Sequence, residues 1–157
     1  MICLDVGDVR VGVAAADGLG LTAQGLTTIT RTGGVEDYDK VIGVMRERNS
    51  SRLVVGMPKN MDGSVGPQGD KVRAFADALL ERINELGLDE PELIYWDERL
   101  STVAATKTLI DADLSRKKRK GVVDKLAAVI ILQGYLDREY SKKKAEGQEN
   151  DRRQKFQ

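Results

Sequence analysis

The 157-residue sequence contains no histidine. That absence excludes His-based catalytic triads, histidine general bases and His-ligated zinc, because each of them needs an imidazole. The single cysteine, Cys3, cannot form a disulfide within the chain. Its apolar neighbours predict that it packs as a small hydrophobic residue, with a lone thiol nucleophile as the alternative. Carboxylates, lysine, tyrosine and hydroxyl groups remain for chemistry.

Aromatic residues and net charge are also scarce. Aromatic side chains make up 4% of the sequence, so stacking platforms for single-stranded bases are few and recognition of shape and backbone is favoured. The 25 Lys and Arg balance the 25 Asp and Glu, so attraction to phosphate requires local clusters of cations. No apolar run approaches the roughly 18 residues of a membrane span, and the first residues lack a secretion signal. We therefore expect a cytoplasmic protein with no membrane partner.

The length and the 41% hydrophobic content suit one domain with a buried core. We expect this domain to cover residues 1–140. Residues 141–157 form a polar tail that we expect to be disordered.

Hydrophobic spacing and turn residues predict an α/β fold. Three strands joined by short turns precede alternating helices and strands, which gives a mixed central sheet of about five strands, three antiparallel and then parallel, with helices on both faces. The predicted strands are Ile2 to Val6, Arg10 to Ala16, Thr27 to Thr32, Leu53 to Met57 and Leu93 to Trp96. The predicted helices are Val35 to Arg48, Val72 to Leu86, Ser101 to Ile110 and about Val122 to Tyr140.

Three carboxylates occupy unusual positions in this pattern. Asp5 lies inside an apolar strand, where an unpaired charge would cost several kcal/mol. Glu98 follows the last predicted strand, at the edge where open α/β sheets bind ligands. Asp124 lies in a helix that is apolar nearly all round and therefore buried.

Three separated acids without a histidine or cysteine cluster suit a hard divalent cation, Mg²⁺ or Mn²⁺. Such ions can activate water and stabilise the leaving oxygen of a phosphodiester. For each acid alone, a salt bridge or a helix cap is an equally good explanation. It is the combination of the three that favours a metal site.

Four segments of the sequence resemble the signature blocks of the YqgF/RuvX family. They are residues 4–14 (LDVGDVRVGVA), 54–64 (VVGMPKNMDGS), 97–102 (DERLST) and 123–133 (VDKLAAVIILQ). The resemblance implies an RNase H-like fold and a nuclease that resolves Holliday junctions or matures the 5′ end of pre-16S rRNA. It also implies that Asp5, Glu98 and Asp124 are the catalytic acids and metal ligands. One position departs from the family: Val9 replaces the common lysine, which leaves Arg10 as the cation of the first block.

Other polar residues are candidates for binding the substrate. Asn60 and Ser64 lie in a glycine-bearing loop that could hold a phosphate, although ordinary turn chemistry explains the loop nearly as well. Arg99 could contact phosphate or anchor a neighbouring carboxylate. A basic run precedes Asp124 and is either a solvated surface or a phosphate contact, the reading that we favour. The run consists of Arg116, Lys117, Lys118, Arg119 and Lys120.

The sequence therefore predicts a metal-dependent endonuclease for structured RNA or branched DNA, acting as a monomer or a homodimer. A first alternative is a catalytically idle nucleic-acid-binding or transcription-associated factor on the same fold. A second alternative takes Asp5 and the following hairpin as the phosphate turn of an actin-like ATPase. That class needs two domains, for which this chain is too short.

Overall fold

The computed structural model describes residues 1–100 and 116–156, and it describes side chains in 1–100 and 125–156. The strands are β1 (Ile2–Val6), β2 (Arg10–Ala16), β3 (Ala23–Thr30), β4 (Arg52–Met57) and β5 (Glu92–Asp97). The helices are α1 (Val35–Glu47), α2 (Pro67–Glu85), a short 3₁₀ helix (Glu98–Leu100) and α3 (Arg116–Lys155). The helix predicted from Ser101 to Ile110 lies outside the described residues.

The five strands form one mixed sheet, as the sequence predicted, and their order is β3-β2-β1-β4-β5. β1, β2 and β3 pair antiparallel, whereas β1 with β4 and β4 with β5 pair parallel. Because β1, β4 and β5 run in the same direction, they end at one side of the sheet, which we call the carboxyl edge. Polar residues that follow these strands are therefore brought together there.

Alternation along β1 separates two hydrophobic cores. Ile2, Leu4 and Val6 belong to the core that α1 and α2 cover. Cys3 belongs to the core that α3 covers, and Asp5 follows it on the same face. A predicted buried strand is confirmed at β4, where residues 53–57 are all buried.

The layer of α1 and α2 combines apolar packing with a surface ion pair. The rings of Tyr38 and Phe75 lie 5.1 Å apart, and the Arg82 guanidinium donates to the Asp39 carboxylate over 2.8 Å. Most apolar positions of α2 are buried, whereas Leu80 is partly buried and Leu86 is exposed; the buried ones are Val72, Phe75, Ala76, Leu79 and Ile83. These contacts hold α1 and α2 together on one face of the sheet.

Two element boundaries differ from the sequence prediction. β3 begins at Ala23 rather than Thr27, because residues 23–25 continue the pairing with residues 14–16 of β2. The Gln133 amide of α3 accepts from the Ala23 N–H and donates to the Leu21 carbonyl, which anchors the beginning of the strand. α2 begins at Pro67 rather than Val72, since proline is suited to the first turn of a helix, where its missing N–H costs nothing.

The expectation of a disordered tail from Ser141 is corrected, because α3 continues as a helix to Lys155. Lys, Glu, Gln, Arg and Ala dominate this segment and favour helix, and an ion pair four residues apart joins Glu149 to Arg153. Every residue of 141–156 is exposed, so the extension adds nothing to either core. Within the described residues, no helix carries the long apolar stretch that crossing a bilayer requires.

Candidate active site

Asp5 is the buried acid of the sheet. Its residue is only 6% exposed, and it lies on the strand face covered by α3. Its partner in the antiparallel register is Gly12, which has no side chain to cover the carboxylate. The sequence expectation that an acid interrupts an apolar strand is therefore confirmed, and the acid lies one residue from the end of β1.

Glu98 follows β5 and lies over the neighbouring strand β4. A Cβ atom added to Gly56 of β4 would lie 2.8 Å from Glu98 Oε1 and 2.5 Å from Ile131 Cδ1 of α3. Both distances are far below ordinary contact, so only glycine leaves room for this carboxylate between the sheet and α3. Sequence analysis did not single out Gly56, although a glycine inside a buried strand often marks a close approach.

The strand register brings the two acids near each other: Leu4 of β1 pairs with Val55 of β4, the next residues are Asp5 and Gly56, and Glu98 lies over Gly56. Burial raises the pKa of the Cys3 thiol well above its usual value, and the negative charges of Asp5 and Glu98 raise it further. A thiol in this environment remains protonated, so the structure favours the packing role of Cys3 over that of a nucleophile. Asp5 and Glu98, 93 positions apart in the numbering, thus share one corner of the α3 face.

The third predicted acid and the basic run lie at the beginning of α3. Position 124 belongs to the helix, three residues before the buried Ala127 and seven before the buried Ile131. The side chain of Asp124 and those of residues 116–120 lie outside the described residues. Their predicted roles remain predictions.

Arg99 anchors a neighbouring carboxylate, one of the two roles considered for it. Its Nη2 donates to Asp97 Oδ2 over 2.6 Å, and its Nε donates to Asp97 Oδ1 over 3.0 Å. The hydrogen bond from Arg99 is the largest influence on Asp97 and lowers the pKa of that carboxyl, and the Lys59 charge lowers it further. The hydrogen bond with Asp97 in turn raises the pKa of the Arg99 guanidinium.

Asn60 and Ser64 close a turn among themselves. Asn60 Nδ2 donates to Ser64 Oγ over 3.0 Å, and the Ser64 hydroxyl donates to Asp62 Oδ1 over 2.6 Å. Gly63 adopts the left-handed conformation with φ of 86°, which the tight turn requires. Turn chemistry therefore accounts for these polar groups, and the turn lies beside Arg99 at the carboxyl edge.

Arg10 begins β2 beside the β1–β2 turn. The Gly7 N–H donates to the Arg10 carbonyl over 2.8 Å and closes this turn. Sequence analysis missed a second arginine there: Arg31 Nη1 donates to the Gly7 carbonyl over 2.8 Å. No local motif marks Arg31, because the contact joins residues 24 positions apart.

The donor set at the carboxyl edge suits a hard cation. Asp5 and Glu98 offer carboxylate oxygens, which Mg²⁺ and Mn²⁺ prefer, and Asp5 is buried where a like charge nearby is costly. The residues with described side chains contain no group of three or more potential metal ligands. Within that part of the chain, Asp5 and Glu98 are two neighbouring carboxylates that could contribute oxygen ligands.

Comparison with known families decides what this arrangement belongs to. Residues 1–138 match the family model described as RuvX: Holliday junction resolvase. The chain belongs to the RuvX family. The resemblance of the four sequence blocks is thereby confirmed, and the match covers the whole sheet and the packed part of α3.

Curated relatives of this RuvX-family chain carry one recurring name. A protein of Clostridioides difficile strain 630 is 52% identical over 134 residues, which cover 85% of this chain and 91% of that protein. A protein of Halothermothrix orenii strain H 168 is 54% identical over 134 residues, with the same two coverages. Both are named "Putative pre-16S rRNA nuclease".

Solved structures confirm the RNase H-like fold. Thermus thermophilus RuvC in complex with a Holliday junction substrate superposes with a TM-score of 0.50 at 15% identity, covering 88% of this chain and 96% of RuvC. A second Thermus thermophilus RuvC structure gives a TM-score of 0.50 at 16% identity, covering 90% and 97%. At these identities the likeness concerns the fold alone.

Proposed function

We propose that this RuvX-family chain is a metal-dependent endonuclease that hydrolyses phosphodiester bonds in structured nucleic acid, with Asp5, Glu98 and Asp124 as its catalytic acids. The observation that carries the proposal is the burial of Asp5 beside Glu98 on one corner of the sheet. Two carboxylates raise each other's pKa and destabilise the fold when they share a partly dry site. A protein tolerates such a pair where a cation balances it.

The helical repeat supports Asp124 as the third acid. Residues three, four and seven positions apart lie on one face of a helix, and the buried Ala127, Ala128 and Ile131 follow Asp124 at these intervals. These three residues belong to the core that contains Cys3. We infer that Asp124 approaches the sheet where Asp5 lies.

The three acids would hold Mg²⁺ or Mn²⁺ through oxygen. When bound, such an ion lowers the pKa of water and neutralises charge that develops on the phosphodiester. The fold positions the three acids: Asp5 lies on β1, Glu98 occupies the space left by the missing side chain of Gly56, and Asp124 lies on α3. Burial of Asp5 keeps bulk water from competing for its oxygens.

The substrate we propose first is the 5′ region of pre-16S rRNA, since close relatives carry that name. A four-way DNA junction is the second candidate, because the matched family is described as a Holliday junction resolvase. Backbone contacts are assigned to Arg10 and to the basic run 116–120, with Asn60 and Ser64 as polar neighbours. Nucleic-acid binding through these cations should weaken steeply with added salt.

The test is parallel digestion of labelled pre-16S rRNA and a four-way junction in Mg²⁺ or Mn²⁺. We expect Asp5→Asn and Asp124→Asn to slow cleavage at least about a hundredfold, because each removes a charged ligand of the metal. Asp8→Asn is the matched control: Asp8 lies three residues from Asp5, is exposed and pairs with Lys71. Its cleavage rate should stay within about twofold of the parent.

Two results would contradict the proposal. The first is an Asp5→Asn protein that is folded and cuts as fast as the parent. The second is tight binding of either substrate in EDTA with no cleavage in any metal, which would identify a catalytically idle nucleic-acid-binding factor.

A further inference from the structure

Residues 97–99, at the end of β5, are held by a fork of hydrogen bonds, in which one guanidinium and one backbone N–H donate to the same carboxylate. Asp97 ends β5, and its carboxylate accepts from Arg99 Nη2 over 2.6 Å, from Arg99 Nε over 3.0 Å and from the Arg99 backbone N–H over 3.0 Å. The Asp97 side chain is only 16% exposed, so this pair lies partly out of water. Glu98 lies between the two partners and cannot change its backbone direction without breaking the fork.

The same guanidinium reaches the turn that follows β4. Arg99 Nη1 donates to the Asn60 carbonyl over 3.3 Å and to the Met61 carbonyl over 3.4 Å. The turn is closed within itself by the Gly63 N–H, which donates to the Asn60 carbonyl, and by the Asn60 N–H, which donates to the Ser64 carbonyl. Arg99 therefore ties the ends of two neighbouring parallel strands, β4 and β5, at the carboxyl edge.

The charges around Arg99 disfavour a phosphate ligand. Asp97 is in direct contact with it, and Asp62 lies close enough to stabilise its positive charge. Two carboxylates thus face one guanidinium, and most of its N–H groups already have acceptors. An incoming phosphate would compete with Asp97 and be repelled by Asp62.

We propose that Asp97 and Arg99 form a latch that positions Glu98 over Gly56 for the hydrolysis, and that Arg99 acts without contacting the substrate. Both are positioning residues in this assignment, and it rests on the proposed nuclease function. The latch fixes Glu98 from both sides in the chain, while the turn 60–64 braces it from β4. A displacement of Glu98 by even 1 Å is expected to slow the reaction strongly.

The first experiment separates positioning from phosphate binding by kinetics. Arg99→Lys keeps the charge but loses the fork, so we expect kcat to fall about tenfold with KM within about twofold. Arg52→Lys is the matched control, because Arg52 pairs with Glu92 over 2.7 Å at the opposite ends of the same two strands. It should leave both constants within about twofold. Equal, near-parental kinetics for the two variants would overturn the latch.

Asp97→Asn distinguishes a phosphate-binding Arg99 from a positioning Arg99, because the two roles predict different changes in substrate affinity and in kcat. If Arg99 bound phosphate, loss of Asp97 would release it and tighten substrate binding. The latch instead predicts a kcat about tenfold lower, unchanged affinity, and little further loss in the double variant Asp97→Asn/Arg99→Lys. Arg99→Gln adds a salt test: a phosphate contact would reduce the slope of log affinity against log salt by about one, whereas the latch leaves the slope unchanged.

Amide hydrogen exchange tests the latch without reference to activity. In Arg99→Lys and Asp97→Asn, the N–H groups of Gly63 and Ser64 should exchange at least about tenfold faster than in the parent, while those of Arg52→Lys should not change there. If these rates rise but the parent cuts no substrate, the nuclease proposal fails, and only the structural part of the latch stands, namely that Asp97 and Arg99 hold the turn 60–64 and Glu98 in place. If the parent is active and neither exchange nor kcat changes, the latch fails and the nuclease stands.

Discussion

One corner of the sheet differs from the opposite face in the size of the side chains that pack there. The face under α1 and α2 is filled by large residues, among them Leu4, Val55, Met57, Phe75 and Leu79. The corner of the other face near the carboxyl edge is lined by small ones, among them Cys3, Gly12, Gly56, Ala127 and Ala128. Large side chains bury the most apolar area, whereas small ones leave room for acids between sheet and helix. The first face supplies stability and the second holds the candidate site.

Each of these regions also contains a buried aspartate. Asp37 at the beginning of α1 accepts three hydrogen bonds, from the Thr32 N–H, the Thr32 hydroxyl and the Gly33 N–H. Asp5 is instead placed on the face where Glu98 supplies a second negative charge. Under the proposed function, the charged surroundings of Asp5 go with a catalytic role and the hydrogen bonds of Asp37 with a structural one.

The strongest test of this division is Leu79→Ala. Leu79 is fully buried in the layer of α1 and α2, so the change should lower the free energy of unfolding by about 2 to 5 kcal/mol. Cleavage per folded molecule should not change, because Leu79 is on the face opposite Asp5. Urea denaturation and kcat measured on the same sample check both statements.

Leu86→Ala is the control for Leu79→Ala. Leu86 caps the end of α2 and is 45% exposed, so its removal should cost less than about 1 kcal/mol. A comparable loss at both positions, or a fall in kcat at Leu79→Ala after correction for unfolded protein, would contradict the division between the two faces.

Gly56→Ala tests the small-residue corner. The added methyl group would collide with Glu98 Oε1 and Ile131 Cδ1, so one of them must move. We expect kcat to fall about tenfold to a hundredfold and stability to fall by about 1 to 3 kcal/mol. Steady-state cleavage and thermal unfolding measure the two effects.

Gly43→Ala is matched to Gly56→Ala. Gly43 lies on the exposed side of α1, and nothing lies within 4 Å of the added Cβ atom. Alanine there should raise stability by about 0.5 to 1 kcal/mol and leave kcat unchanged. If Gly56→Ala behaved like Gly43→Ala, the close approach of Glu98 to β4 would play no part in the reaction.

Much of the fold could be predicted from local sequence. Alternation and short apolar runs identified all five strands, and the signal is clearest in β1, β2 and β4, whose residues are nearly all buried. Asp5 was conspicuous for the same reason, since a charge inside an apolar run breaks the pattern. Glu98 was found by its position after a strand, which is where parallel sheets gather functional groups.

The remaining features depend on contacts that no local pattern encodes. Arg99 meets the Asn60 carbonyl across 39 residues, and Gln133 meets the Ala23 N–H across 110. The first contact ties Arg99 to the turn after β4, and the second anchors the first residue of β3 to α3. The helical extension after Ser141 was missed for another reason: its composition is polar enough for a disordered tail and also favours helix.

Apart from the controls, the smallest expected effect concerns Asp37, the structural acid of the comparison. Burial alone would raise its pKa, but the hydrogen bonds from Thr32 and Gly33, helped by the Arg31 charge, lower it below the ordinary 3.8. A folded-state pKa below the unfolded value means that the charged form stabilises the fold. This contribution is complete well above pH 3.8 and is lost as the pH falls from 3.8 through the lowered value.

Asp37→Asn keeps an acceptor for Thr32 but cannot ionise. We expect it to reduce stability by about 1 to 2 kcal/mol at pH 7, with the gap to the parent closing as the pH falls below 3.8. Urea denaturation of both proteins between pH 7 and pH 3 gives the gap directly. A gap that stays constant over this range would show that the charge of Asp37 is unimportant, and the contrast with Asp5 would then rest on geometry alone.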